Sequence, residues 1–374
     1  MINQDRLKKL LHSLIDIYSP SGKENDILEY LKGYLKKNGV YAAAQPVDET
    51  RYNLIVMPPE GRDAELALIG HVDTITAYDI EDYGFNEQDD TISGLGAADM
   101  KSGCAAIVEA FLEIRKSFGP GVPAALCLLV GEEENGDGAA RLIEDYHFPW
   151  AVIGEPTNLL ACLGCYGYLE TQMATTGSRL HASLANNRQN TIEVLLQMML
   201  RISHYLRDHR PELVYNFRDL YSSRSGLTVP DRCEAWLDIH LPPDAAIGEI
   251  VTELEEACLP TESKNSAIET GFHIETIDAG YRLPEKGTIV AAIRDTYNEL
   301  GIDWQNGDFR SHSDANQLWA AGIKPIVIGP GRLENAHVHD ECVSFPQVVQ
   351  AAGIYYGLLQ RLFSGQIEKK GIGS

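Results

Sequence analysis

Histidine and carboxylate side chains follow apolar, strand-like segments at several points in this sequence. His71 and Asp73, two residues apart, project the same way from an extended backbone, and a metal-binding imidazole usually needs a carboxylate to fix its tautomer. Because ligands bind at the carboxyl ends of the strands in an open α/β sheet, groups in such positions are candidates for one shared site. The other groups are Asp99, the triplet Glu132-Glu133-Glu134, Glu155 and the run 337–341.

Each of these groups, taken alone, has an ordinary structural interpretation. A single H-x-D is more often a surface loop, Asp99 is able to cap a helix, and an acidic triplet is usually a solvated turn. Together, however, two histidines and several carboxylates at one sheet edge predict a site for two divalent ions. Mixed imidazole and carboxylate ligands without a thiolate favour zinc, with cobalt or manganese as substitutes.

The elements that must position these groups alternate between helix and strand. Residues 5–38 predict two amphipathic helices, and shorter elements follow them. Such alternation indicates an α/β domain with a mostly parallel sheet. The predicted strands of this part are 52–57, 65–69, 124–130 and 151–153, and the further helices are 102–116 and 138–146.

The pattern changes after about residue 164, where apolar and polar residues alternate as in half-exposed antiparallel strands. Strands are predicted there at 168–176, 235–240 and 271–277, with helices at 191–207 and 247–257. The α/β pattern then returns with helices 288–300, 314–321 and 346–362 and a strand at 324–328. We therefore predict a catalytic domain, 1–167 and 279–374, into which an α+β domain, 168–278, is inserted.

Composition and charge exclude several classes of protein. The 374 residues carry 31 Lys and Arg against 54 Asp and Glu, and the resulting charge of −23 argues against a nucleic-acid partner. No apolar run reaches the roughly 20 residues that span a bilayer, and no signal-peptide pattern begins the chain, so no membrane association is expected. Seven scattered cysteines indicate reduced thiols in the cytoplasm. We interpret Cys162 and Cys165 as small apolar residues near a strand end.

The combination of motifs resembles the acetylornithine deacetylase and succinyl-diaminopimelate desuccinylase family of di-metal hydrolases, which also includes aminoacylases and glutamate-releasing carboxypeptidases. The resemblance covers nearly the whole chain and implies a metallohydrolase domain with an inserted lid or dimerisation domain. The motifs are H-x-D at 71–73, G-x-x-D-M-K-x-G at 96–103, the glutamate pair at 132–133, G-E-P-T at 154–157 and A-H-x-x-D-E at 336–341.

In that family, the matching positions hold two metal ions and the catalytic base. The resemblance implies that His71 binds one metal, that Asp73 orients this histidine and that Asp99 bridges both metals. It also implies that Glu132 is the general base. The remaining implied ligands are Glu155 on the metal of His71, and Glu133 and His337, rather than His339, on the other metal.

The inserted domain contains the family's G-x-x-x-H-[AS]-S motif at 177–183. In the family, this histidine helps to polarise the scissile carbonyl and often reaches in from the partner subunit. The resemblance therefore implies this role for His181 and a homodimer for the protein.

Three positions depart from the family pattern where substrate recognition is concerned. Leu227 stands where the family often has asparagine, and His240 and Asn316 stand where it usually has arginine. Arg310 and Asn316 are therefore our candidates for substrate binding. These differences do not affect the predicted metal ligands, but because of them the resemblance does not identify the substrate.

The functional prediction is a zinc-dependent amidohydrolase that removes the acyl group from a small N-acyl amino acid. Two metal ions would activate a water molecule, and Glu132 would move its proton. The alternative is a dipeptidase or carboxypeptidase with the same site. A non-catalytic metal-binding protein would need a broken ligand set or a missing base, and a serine or cysteine hydrolase would need a nucleophile elbow that this sequence lacks.

Overall fold

The chain forms two compact units, one inserted into the other. The computed structural model describes residues 2–59, 61–81, 83–185, 190–224, 226–258 and 268–371. The first unit comprises Met1–Gly164, Leu283–Phe309 and Ser313–Ser374, and the second comprises Cys165–Arg282 and Arg310–His312. The domain boundaries expected from the sequence, 167/168 and 278/279, stay a prediction, and residues 310–312, which that prediction assigns to the catalytic domain, belong to the second unit.

Helices and strands alternate along most of the first unit. The helices are α1 (Gln4–Asp16), α2 (Asn25–Lys37), α3 (Lys101–Phe118), α4 (Asp137–Asp145), α5 (Thr191–His209), α6 (Ile247–Cys258), α7 (Thr288–Leu300), α8 (Asp314–Ala320) and α9 (Phe345–Gly371). The strands are β1 (Ala43–Pro46), β2 (Tyr52–Val56), β3 (Leu66–His71), β4 (Asn86–Gln88), β5 (Thr91–Ser93), β6 (Ala124–Leu129), β7 (Trp150–Ile153), β8 (Ala161–Cys165), β9 (Gly167–Thr176), β10 (Val214–Ser222), β11 (Arg232–Leu241), β12 (Glu269–Asp278), β13 (Tyr281–Arg282), β14 (Asn306–Phe309), β15 (Lys324–Val327) and β16 (Cys342–Ser344).

A mixed sheet with a parallel centre forms the core of the first unit. Its strand order is β1-β2-β6-β3-β7-β15-β8. Strand β3 runs parallel to β6 and β7, and β15 runs parallel to β7, whereas the outer pairings are antiparallel. Every residue of β3 and β6 is buried, as in a parallel sheet covered on both faces. The predicted α/β class is confirmed.

Helix α3 packs closely against the central sheet and against α9. Its residues from Lys101 to Ile114 are buried. A Cβ at Gly103, in the first turn, would lie 2.1 Å from the carbonyl oxygen of Gly154. Only glycine permits this approach. The close contact between Gly103 and Gly154 places the start of α3 directly against the end of β7.

An antiparallel sheet backed by two helices forms the second unit. The strand order is β10-β11-β9-β12, and α5 packs on β9, β11 and α6. Along β9, every second residue from Leu169 to Thr175 is buried and the residues between them are half-buried, as the alternation predicts. The sequence pattern does not predict β10, because most of its residues are exposed and no apolar period marks it.

Two further sequence predictions concern cysteines and membranes. All seven cysteines are free thiols, and Cys162 and Cys165 are buried, in keeping with their interpretation as small apolar residues. Among the helices within the described ranges, none combines the length and the apolar character needed to cross a bilayer.

Candidate metal centre

Three parallel strands deliver side chains to one edge of the central sheet. In the register of the sheet, His71 at the end of β3 lies beside Leu129 at the end of β6, and Ile69 lies beside Ile153 at the end of β7. The residues that follow these strand ends are therefore neighbours in space. They include the glutamate pair after β6 and Glu155 after β7.

Asp99 reaches the same edge from the loop that precedes α3. Its Oδ1 lies 3.2 Å from Nε2 of His71, and its Oδ2 lies 3.5 Å from Nε2 of His337. One carboxylate thus presents one oxygen to each histidine. This is the geometry that a carboxylate bridging two cations requires.

The first of two ligand groups consists of His71, Asp99 and Glu155, whose ligand atoms lie within 4.8 Å of one another. His71 and Glu155 are buried, and the side chain of Asp99 is 12% exposed. Oε2 of Glu155 lies 3.8 Å from Nε2 of His71. This is the more buried of the two ligand groups.

The second ligand group consists of Asp99, Glu133 and His337, again with ligand atoms within 4.8 Å of one another. Oε2 of Glu133 lies 2.8 Å from Nε2 of His337. His337 has a φ of 58°, a conformation uncommon for residues other than glycine, and the Tyr78 hydroxyl donates to its carbonyl oxygen at 2.9 Å. The structure therefore brings together all five side chains predicted to bind metal.

Asp73 connects the two predicted catalytic motifs. Its buried carboxylate accepts the backbone N–H groups of Glu132 at 3.2 Å and Glu133 at 3.1 Å. Nδ1 of His71 lies 3.1 Å from the Asp73 carbonyl oxygen and 3.5 Å from its carboxylate. The contacts of Asp73 therefore join His71 to the backbone of the glutamate pair, and the role of Asp73 in orienting the histidine stays a prediction. Oε2 of Glu132, the predicted base, lies 3.7 Å from Nε2 of His71.

Sequence reasoning missed two residues that hold this arrangement in place. The Ser21 hydroxyl donates to Oδ2 of Asp73 at 2.7 Å, and the only local signal was a Ser-Pro-Ser-Gly turn far from the other motifs. The buried Glu341 carboxylate accepts the N–H groups of Gly96, Ala98 and Asp99 at 2.8–2.9 Å. The sequence feature that could have identified Glu341 is its position as the last acid of the A-H-x-x-D-E motif at 336–341.

Burial and mutual repulsion raise the pKa of the three glutamates of the site, Glu132, Glu133 and Glu155, and so favour protons on them. Burial raises the pKa of Glu155 to about 8, and the charge of Asp99 adds to this effect. Burial also raises the pKa of Glu132 well above its usual range. At His71, burial lowers the pKa, but the charges of Glu132 and Glu155 outweigh burial and leave the pKa well above its usual value. These side chains therefore favour binding of positive charge, either as protons or as metal ions, although the site is largely buried.

Two carboxylate oxygens of the cluster have no hydrogen-bond partner. Oε1 of Glu133 and Oε1 of Glu155 are buried, and no hydrogen bond reaches either atom within the described part of the chain. A buried polar atom without a partner is costly, and coordination of a cation would remove that cost. The two ligand groups together contain two imidazoles and three carboxylates, and Asp99 belongs to both groups. This donor set therefore fits a pair of divalent ions.

The remaining predicted site residues lie outside the ligand cluster. His181 and Arg310 belong to the second unit, and both are exposed. Asn316 lies in the first unit with 3% of its surface exposed. Its Oδ1 accepts the N–H of Ser313 at 3.0 Å, which closes a capping box at the start of α8. Substrate binding by Arg310 and Asn316 stays a prediction, and for Asn316 the observed contact is that of a helix cap.

The fold is shared with solved peptidases. A tripeptidase from Staphylococcus aureus superposes with a TM-score of 0.79 at 18% identity, covering 97% of this chain and 99% of the other. An M20 family metallo-carboxypeptidase from Sulfolobus solfataricus superposes with a TM-score of 0.76 at 16% identity, covering 95% and 99%. At these identities the likeness concerns the fold alone.

Sequence comparison points to the same group of proteins. Acetylornithine deacetylase from Edwardsiella ictaluri is 26% identical over 363 residues, which cover 89% of this chain and 92% of that relative. The sequence profile of peptidase family M20/M25/M40 matches residues 67–361, a range that contains every residue of the two ligand groups. The resemblance predicted from the motifs is confirmed, and the chain belongs to peptidase family M20/M25/M40.

Proposed function

We propose that this protein is a metal-dependent amidohydrolase that releases a free amino acid from a small N-acyl amino acid. The observation that carries the proposal is the position of Asp99 between two histidines, with Glu132 beside the first of them. The acetylornithine deacetylase relative supports a deacylase. The solved peptidases share only the fold, so they do not favour the alternative of a dipeptidase or carboxypeptidase.

The two ligand groups would each hold one divalent ion. His71 and Glu155 would bind the first ion, Glu133 and His337 the second, and Asp99 both. Zinc suits this donor set, and cobalt or manganese would be accepted as substitutes. When bound, such ions would supply Lewis acidity, which lowers the pKa of a water molecule so that it loses a proton and becomes nucleophilic near neutral pH.

Glu132 would carry the proton of the reaction. Its carboxylate would accept a proton from the attacking water and deliver that proton to the leaving amine. Asp73 supports this role because it holds the Glu132 backbone N–H and so limits where the carboxylate lies. The same contact links the orientation of the base to that of His71.

The second unit would supply His181, which would donate a hydrogen bond to the scissile carbonyl oxygen as the developing charge requires. We also propose that this unit pairs two copies of the chain. Support comes from exposed apolar side chains on α5 and on the edge strand β10, since such surfaces are typical of protein contacts. These side chains are Leu196, Leu200, Val214, Leu220 and Tyr221.

The proposed location is the reducing cytoplasm. Its support is the set of seven free cysteines, of which six are buried without forming a disulfide. Sedimentation equilibrium of the purified protein tests the dimer, which should give about twice the chain mass of 41.3 kDa.

The decisive experiment is an activity screen of the protein reconstituted with zinc, cobalt or manganese. The panel should pair N-acetyl and N-succinyl amino acids with dipeptides of the same carboxyl-terminal residue. We expect metal-dependent release of the free amino acid from an N-acyl substrate, and little release from the matched dipeptide. Hydrolysis of dipeptides alone would replace the deacylase by the peptidase alternative. Hydrolysis without added metal after chelation would contradict the whole proposal.

A further inference from the structure

Hydrogen bonds from Ser183 place His181 in a single tautomer. The backbone N–H of Ser183 donates to Nδ1 of His181 at 3.3 Å, and the Ser183 hydroxyl lies 2.8 Å from the same nitrogen. A backbone N–H has no acceptor role. Nδ1 must therefore present its lone pair, and the neutral ring carries its proton on Nε2. The Ser183 hydroxyl then donates its O–H to Nδ1, sharing the single lone pair of this nitrogen with the backbone N–H.

We infer that Ser183 is a positioning residue that keeps Nε2–H of His181 available as a donor to the carbonyl oxygen of the substrate. The inference rests on the proposed function, in which that oxygen gains negative charge. A donor aimed at this oxygen stabilises the transition state. In the other tautomer, Nε2 would present a lone pair to the same oxygen and repel it.

The backbone around His181 is fixed independently of this contact. The N–H of Ala182 donates to the carbonyl oxygen of Leu227 at 2.8 Å, and the N–H of Val229 donates to that of Leu180 at 2.7 Å. His181 and Ser183 are both exposed, so their contact is not needed to fill a core. No residue in the described ranges forms a hydrogen bond with Nε2, which leaves that nitrogen available to a ligand.

The tautomer is directly measurable by nitrogen-15 NMR of the zinc-loaded protein labelled at histidine. The sequence has 11 histidines, and the signal of His181 is identified as the one that His181→Gln removes. We expect the chemical shift of an unprotonated nitrogen at Nδ1 and of a protonated nitrogen at Nε2. A proton on Nδ1 in the wild-type protein would overturn the inference.

Ser183→Ala removes the hydroxyl donor and keeps the backbone donor. The backbone contact at 3.3 Å still favours the same tautomer, but it is longer than the lost hydroxyl contact at 2.8 Å and selects that tautomer less strongly. We therefore expect a population of the other tautomer to become detectable at His181 and kcat to fall by about two- to tenfold with little change in KM, the effect of losing one hydrogen bond. Ser183→Thr keeps the hydroxyl and should restore both the NMR signal and kcat. A wild-type kcat in Ser183→Ala, with the tautomer unchanged, would remove Ser183 from its proposed role.

Two substitutions of His181 separate the roles of its ring nitrogens. The amide nitrogen of glutamine lies roughly where Nε2 lies, whereas that of asparagine lies roughly where Nδ1 lies. His181→Gln should therefore keep about 10²-fold more activity than His181→Asn, the size of a lost oxyanion donor. Equal losses would contradict donation from Nε2. If the wild-type protein hydrolyses no amide, the proposed function fails and the catalytic role of Ser183 fails with it, whereas the NMR signal still decides the tautomer.

Discussion

Two histidines, one in each unit, meet opposite partners at Nδ1, supplied in each case by the residue two positions later. Nδ1 of His71 faces the carbonyl and carboxylate oxygens of Asp73, which only accept, so Nδ1 carries a proton, and Nε2 would offer a lone pair to a metal after releasing its own proton. Nδ1 of His181 accepts from Ser183, so Nε2 carries the proton. The first arrangement suits a metal ligand, and the second suits a hydrogen-bond donor. The chemistry of a histidine therefore follows from its partner.

The two histidines, His71 and His181, also differ in how far they are buried. His71 has 1% of its surface exposed, and its surroundings are carboxylates whose repulsion a cation would relieve. His181 is exposed, and its partner is a neutral hydroxyl. A buried group of carboxylates suits a cation, whereas the exposed imidazole of His181 is open to solvent.

The largest effect is expected from Glu132→Gln, which leaves the ligand groups in place and removes the proton carrier. The kcat for the best N-acyl substrate should fall by about 10²–10⁴-fold, while the metal content measured by mass spectrometry stays at the wild-type value. Glu134→Gln changes the exposed neighbouring glutamate and is the matched control. A near-normal kcat in Glu132→Gln would show that another group carries the proton.

The next effect concerns the lone pair of His71. His71→Ala should lose the ion of the first group, so the zinc content falls by about one ion per chain and activity is lost with it. His339→Ala removes an exposed histidine that lies outside both ligand groups and should keep both ions. Unchanged zinc content in His71→Ala would remove that histidine from the ligand set.

Metal binding should release protons and strengthen as pH rises. Burial lowers the pKa of His337, but the Glu133 hydrogen bond and charge outweigh burial and raise the pKa to about 9. Below about pH 9 the metal-free protein therefore holds a proton on this imidazole, and a metal must displace it. Zinc affinity should rise up to tenfold per pH unit between about pH 6 and pH 9 for each proton released.

Titration calorimetry in buffers of different ionisation enthalpy measures that proton release directly. His337→Ala should release fewer protons for each zinc ion bound. An affinity independent of pH across this window would contradict the assignment of His337 as a ligand.

A smaller effect is expected from Asp73→Asn, which gives His71 a neutral partner that is able to donate as well as accept. Zinc affinity should fall by about 10–100-fold, the usual effect of changing a residue that orients a metal ligand. Ser21→Ala removes one of the hydrogen bonds to Asp73 and should lower the affinity less. Competition with a zinc chelator measures both variants, and wild-type affinity in Asp73→Asn would show that the tautomer of His71 does not depend on Asp73.

Much of the fold followed from local patterns. The continuous apolar runs of β3 and β6 and the alternation of β9 are properties of short segments, and they mark these strands without knowledge of their neighbours. Strand β10 escaped prediction because its mostly exposed residues carry no apolar period. Helix α9 continues to Gly371, beyond the predicted end at residue 362. The prediction stopped early because it followed the apolar pattern of a buried face, and that pattern ends before the helix does.

The strand and helix patterns alone indicated that His71, Asp99, the glutamate pair and Glu155 lie at one edge of the central sheet, because each of them follows a predicted strand or opens a helix. The choice of His337 over His339 came from the resemblance to the family, and the way in which these side chains meet depends on the tertiary structure. The tertiary structure shows that the two oxygens of Asp99 face different histidines, that Ser21 and Glu341 hold the loops, and that Asn316 caps α8. Hydrogen-bond direction depends on atoms within about 3 Å of one another, and the order of residues along a chain does not specify such distances between remote segments.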